Sequence, residues 1–75
     1  MPDKKLLNQF GTRIRELRLA KGLSQEQLAE RTGFHRTYIG MVERGERNLS
    51  LSNIATLARS FDLSISELLD FGGGR

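Results

Sequence analysis

The side chains best equipped for chemistry lie between Ser24 and Asn48. Arg36 carries a planar guanidinium whose paired N–H groups match O6 and N7 of a guanine. Thr37, beside it, offers a methyl to thymine or a hydroxyl to a base or phosphate. Gln25, Tyr38, Arg44, Arg47 and Asn48 are donors of the kind that hold a phosphate backbone. The same stretch offers nothing for catalysis. Glu26, Glu30, Glu43 and Glu46 fall on short helices or in a loop, with no nucleophile–base pair, no phosphate-cradling glycine loop and no metal-ligand set. The 75-residue chain has no cysteine and one histidine, so thiolate sites and histidine clusters are excluded. No enzyme activity, cofactor, metal or small-molecule ligand is expected.

Two short helices must position these groups. Ser24 is a good N-cap, and Gln27 three residues on completes a capping box. Leu28 and Ala29 face inward. Gly33 breaks the helix, since glycine takes the left-handed conformation without steric cost. Tyr38, Ile39 and Val42 then repeat at helical spacing, and Gly45 ends the second helix. Two short helices joined at a glycine form a helix-turn-helix, whose second helix enters the major groove of double-stranded DNA.

On that reading Arg36 and Thr37, in the first turn of the second helix, are candidate base contacts. Arg36 alternatively meets a phosphate or solvent. Gly40 and Met41 follow one turn later. Gly40 suits a close approach of DNA, or is merely tolerated; Met41 suits a thymine methyl, or is simply exposed. Gln25 opens the first helix, where free N–H groups and the positive dipole end favour phosphate, and Ser24 caps it. Tyr38 packs on the core or reaches a phosphate. His35 is a plain cap or a phosphate neighbour rather than a pH switch. Arg44, Arg47 and Asn48 follow the second helix along the backbone, with Asn48 alternatively a turn former.

Seventy-five residues make one domain, 1–75, at most. Its ordered part is expected over about 4–70, with a flexible tail at 72–75. Lys4, Lys5, Arg13, Arg15, Arg18 and Lys21 outnumber Asp3 and Glu16 in the first 22 residues, whereas residues 23–47 balance and residues 48–75 are slightly acidic. A polyanion is expected on the N-terminal side, and the C-terminal third is free for another task. No apolar run approaches a membrane span of roughly 20 residues, so no membrane partner is expected and the cytoplasm is the default location.

The rest of the chain also reads as helix. Leu6, Phe10, Ile14 and Leu17 form one stripe over about Asp3–Lys21, with a close packing contact expected at Gly11. Ser50 caps a helix over about 51–61, with a stripe of Leu51, Ile54, Leu57, Ala58 and Phe61. Ser64, with Glu67 as capping box, opens a last helix to Asp70. The fold class is therefore all-α, with five short helices. Its core draws on Phe10, Ile14, Leu17, Leu23, Leu28, Ala29, Ile39, Val42, Ile54, Leu57, Ala58 and Phe61. Ile65, Leu68, Leu69 and Phe71 exceed what so small a core needs, and suggest a homodimer surface on the last two helices. Alternatively they complete the core.

Ile14-Arg15-Glu16-Leu17-Arg18, Lys21 to Ala29, Thr37-Tyr38-Ile39 and Val42 to Gly45 together resemble the Xre family of lambda and 434 repressor-like regulators. The block His35 to Ile39, followed by Glu43 to Ser50, is most similar to controller proteins of restriction–modification systems. The resemblance implies a compact five-helix domain that regulates transcription as a homodimer on a near-palindromic operator, repressing by occlusion or activating by touching RNA polymerase. It also implies an ion pair between Arg18 and Glu43, which is structural rather than DNA-contacting. A nucleoid-associated location follows. His35 departs from the serine, threonine or aspartate more usual at its position. The rival expectation is an antitoxin-type interaction module, with DNA binding secondary.

Overall fold

The structure, a computed structural model, describes residues 3–71. The expected tail at 72–75 lies outside the described residues. These form five helices in the order α1 (Lys4–Ala20), α2 (Gln25–Thr32), α3 (Arg36–Glu43), α4 (Leu51–Ser60) and α5 (Ile65–Leu68).

Each start is a side-chain cap. Asp3 accepts from Leu6 N at 3.1 Å, and Ser50 Oγ from Asn53 N at 3.1 Å. Ser24 with Gln27, and Ser64 with Glu67, form reciprocal capping boxes. The backbone N–H and hydroxyl of Ser64 hold the Glu67 carboxyl below the usual range. Gly33 closes α2 at φ 80°. Thr32 Oγ1 donates back to Leu28 O at 3.0 Å and accepts from Phe34 N at 3.2 Å, which ties the turn into α3.

The core joins Phe10 and Ile14 of α1, Leu28 and Ala29 of α2, Ile39 and Val42 of α3, Leu57 and Ala58 of α4, Phe61 and Leu68. α1 packs on α3, α2 on both α3 and α4, and α4 on α5. Gly11 is where α1 and α3 meet backbone to backbone: a Cβ there would strike the carbonyl oxygens of Val42 and Glu43.

Several expectations need correction. Of the two readings of Leu68, dimer surface or completion of the core, the second holds: it is completely buried in the core. Arg13 of α1 fastens this turn, donating to Glu67 O at 2.8 Å and to Leu68 O at 3.1 Å. This draws the end of α5 onto α1, and the helix stops at Leu68 rather than Asp70. Ile65 and Phe71 are half-buried against the core, while Leu69 is exposed. Leu17, Leu23 and Ile54 are half-buried rather than fully inside. Leu6 and Leu51 lie at the outer ends of their stripes and are exposed.

Candidate nucleic-acid interface

α3 is anchored from beneath by charge. Arg18 Nε donates to Glu43 Oε2 at 2.6 Å and Nη2 to Glu43 Oε1 at 3.0 Å, a two-point guanidinium–carboxylate pair with side chains only 10% and 3% exposed. Arg18 Nη1 donates to Leu23 O at 2.9 Å, and Gln25 Nε2 to Glu43 Oε1 at 3.1 Å. The bond to Glu43 keeps Arg18 above the usual guanidinium value despite burial. The end of α1, the start of α2 and the end of α3 thus share one network.

Above this network the α2 N-terminus and the outer face of α3 enclose a shallow cleft lined by Gln25, Glu26, Arg36, Thr37, Gly40 and Arg44. Arg36, Thr37, Gly40 and Arg44 recur at one- and four-residue steps, so they share a helix face. Gly40 is the floor. A Cβ there would lie 3.2 Å from Arg44 Nη1 and 3.6 Å from Gln25 Oε1, so any side chain would fill the cleft. Of the expected base contacts, Arg36, Thr37 and Gly40 are brought together here. Met41 is half-buried and does not line the cleft.

The remaining expected contacts are distributed around it. Ser24 Oγ is occupied by Gln27 N at 3.0 Å. His35 does cap α3, with Nδ1 accepting from Thr37 N at 3.1 Å. That bond requires a neutral imidazole with the proton on the other nitrogen. Tyr38 packs edge-on to Phe34 at 5.0 Å between ring centres, and its hydroxyl accepts from Asn53 Nδ2 at 3.0 Å. The phenol keeps its own hydrogen to donate outward. The Arg47 guanidinium lies 5.4 Å over the Tyr38 ring, within cation–π range. Asn48 lies instead at an apolar groove with Leu6, Leu7, Phe10, Leu49, Ile54, Leu69 and Phe71.

Three partners of the candidate contact residues were missed from the sequence. Asn53, on α4, orients Tyr38. Glu26 pairs with Arg36, and Glu46 with Arg44 at 3.1 Å. Neither exposed carboxylate repeats with a helical period, so only their unusual density beside arginines offered a signal. Glu46 is held below the usual carboxyl value by the Arg44 hydrogen bond. Among the described residues no group of acids, histidines or cysteines could hold a metal ion, and no helix is long and apolar enough to cross a membrane.

A helix-turn-helix family profile matches residues 14–68. The control protein C.SmaI of Serratia marcescens is 54% identical over 56 residues, covering 75% of this chain and 67% of that protein. The crystal structure of the restriction–modification controller protein C.AhdI from Aeromonas hydrophila superposes with a TM-score of 0.79 at 58% identity, covering 83% of this chain and 94% of that one. The controller protein C.Esp1396I, crystallised as a tetramer with its natural 35 base-pair operator, is 34% identical with a TM-score of 0.76, covering 85% and 88% of the two chains.

Proposed function

The chain belongs to the helix-turn-helix family, and from that premise we propose that it is a sequence-specific regulator of transcription that binds double-stranded DNA as a homodimer. The relatives just described make the controller of a restriction–modification system the most specific reading. The observation that carries it is the cleft itself. The outer face of α3 and the start of α2 present Arg36, Thr37, Gly40, Arg44 and Gln25 together, on a helix fixed by the buried Arg18–Glu43 pair.

Arg36 and Thr37 read base edges in the major groove, Gly40 admits the groove wall, and Met41 lies at the margin of the base contacts. The N-terminus of α2, through Gln25 and the capped turn at Ser24, takes one phosphate. His35, Tyr38, Arg44 and Arg47 hold the flanking backbone, whereas Asn48 lies at the apolar groove instead. Residues 1–75 act as one domain built on the single core. The dimer forms through the α4–α5 end, where Leu69 is exposed and Ile65 and Phe71 are half-buried. Transcription is then repressed by excluding RNA polymerase or activated by touching it, in the cytoplasm.

Selection of bound sequences from random double-stranded DNA at physiological salt tests this. A near-palindrome with half-sites about one helical turn apart, ~34 Å, is expected. Binding that enriches no sequence and merely fades as salt rises would reduce the interaction to non-specific electrostatics.

A further inference from the structure

The cleft contains one group that attraction to DNA does not require. Glu26 is the second residue of α2 and accepts from Arg36 Nη1 at 3.0 Å, with side chains 60% and 65% exposed. So open a pair adds little to the fold. Its position gives it another consequence. The first turn of a helix favours a carboxylate, and the Glu26 backbone N–H, followed by the Arg36 hydrogen bond, holds this acid below the usual range. A negative charge therefore stands beside Gln25, where a phosphate must come.

The Arg36 guanidinium has its donors in a rigid fork. Nη1 is engaged by Glu26, which leaves the Nε–Nη2 edge with two parallel N–H groups, the pair that matches guanine O6 and N7. Arg44 is also paired, but through Nε, with Glu46 Oε2 at 3.1 Å, so the two arginines of the cleft are each matched by a carboxylate. At a guanine, Arg36 can read through its remaining edge without leaving Glu26. At any other base pair it gains a contact only by swinging to the backbone, and the released carboxylate then faces phosphate.

We propose that Glu26 is a specificity-determining residue: it orients Arg36 toward guanine and opposes binding wherever Arg36 would have only a phosphate to meet. This rests on the α2–α3 cleft being the DNA interface.

The test compares two duplexes of equal length, the sequence most enriched by selection and a shuffled version of it, across a salt series. Glu26→Gln keeps the size and an acceptor oxygen but removes the charge. Affinity for the shuffled duplex should rise by on the order of fivefold per dimer. Its logarithmic salt slope should steepen by about 0.9 for each phosphate newly neutralised. Affinity for the selected duplex should change less, so the ratio falls. In an Arg36→Ala background, Glu26→Gln should leave the ratio unchanged, while the melting midpoint of Glu26→Gln should fall only slightly through loss of the first-turn carboxylate. Equal changes on both duplexes, or a ratio that still falls without Arg36, would overturn the proposal. An unmodified chain that does not discriminate between the duplexes would overturn the interface reading itself.

Discussion

The α2–α3 end and the α4–α5 end are held by different forces. At the first, orientation comes from directional polar bonds: Arg18 and Gln25 on Glu43, Glu26 on Arg36, Asn53 on Tyr38. At the second, position comes from burial of Leu57, Ala58, Phe61 and Leu68, with Arg13 drawing in the last turn. Burial is not directional and scales with area. It can hold a helix in place without aiming its side chains. Recognition of a base edge needs aim, so the polar bonds lie where the candidate contacts are.

Breaking the buried pair should have the largest effect and should damage both stability and binding. Glu43→Ala leaves the Arg18 guanidinium buried without its carboxylate, and such losses cost about 3–5 kcal/mol. It also frees Gln25 at the start of α2. Chemical denaturation should show the loss of stability. DNA affinity, corrected for the folded fraction, should fall as well. Unchanged affinity per folded molecule would show that the network supports the fold but does not aim the cleft.

Leu68→Ala is the contrasting change at the other end. A fully buried leucine removed from a core costs about 2–5 kcal/mol, and a domain this small has little to spare. Here affinity per folded monomer should survive, since no bond of the cleft involves α5. If specific binding is lost along with stability, burial of Leu68 also shapes the proposed α4–α5 dimer surface, and the two ends are energetically coupled. Arg36→Ala is the third change and should do the reverse. Its exposed ion pair contributes little to the fold, so the melting midpoint should hold. Operator binding should weaken by about 1–3 kcal/mol, with one position of the site relaxed. Equal losses on operator and random DNA would make Arg36 a phosphate contact.

What could be read beforehand follows from the same contrast. Ser24, Ser50 and Ser64 mark helix starts because a cap acts within three residues, and both capping boxes are formed. The placement of Arg36, Thr37 and Gly40 on one face follows from helical spacing alone. His35 was a poor cap on residue type, yet its Nδ1 accepts the Thr37 N–H as a carboxylate would. Whether Leu68 joined the core or a dimer surface was left open, since the contacts that settle it, such as Arg13 with the carbonyls of Glu67 and Leu68, span more than fifty residues. Periodicity named Leu6 and Leu51 as parts of apolar stripes but could not show that both overhang the core. The Glu26–Arg36 and Asn53–Tyr38 partnerships join polar residues on different helices, and no period in either helix encodes them.

The smallest expected effect is a gain confined to the α4–α5 end. Asp62 follows α4 with φ 58°, and its N–H donates to Arg59 O at 3.0 Å while Leu63 N donates to Ala58 O at 2.9 Å. That is the helix-ending pattern in which the left-handed residue is usually glycine, and Gly22 and Gly45 hold the corresponding places after α1 and α3. An aspartate tolerates this region better than most side chains, but its Cβ still crowds the following carbonyl. Glycine removes that strain and gives back part of the gain through a freer unfolded chain. Asp62→Gly should therefore stabilise by about 0.5–1 kcal/mol, read as a higher melting midpoint, with operator affinity unchanged because no cleft residue touches Asp62. A rise in stability accompanied by altered affinity would mean that tightening the buried end re-aims α3, and the two ends would then be one mechanical unit rather than two.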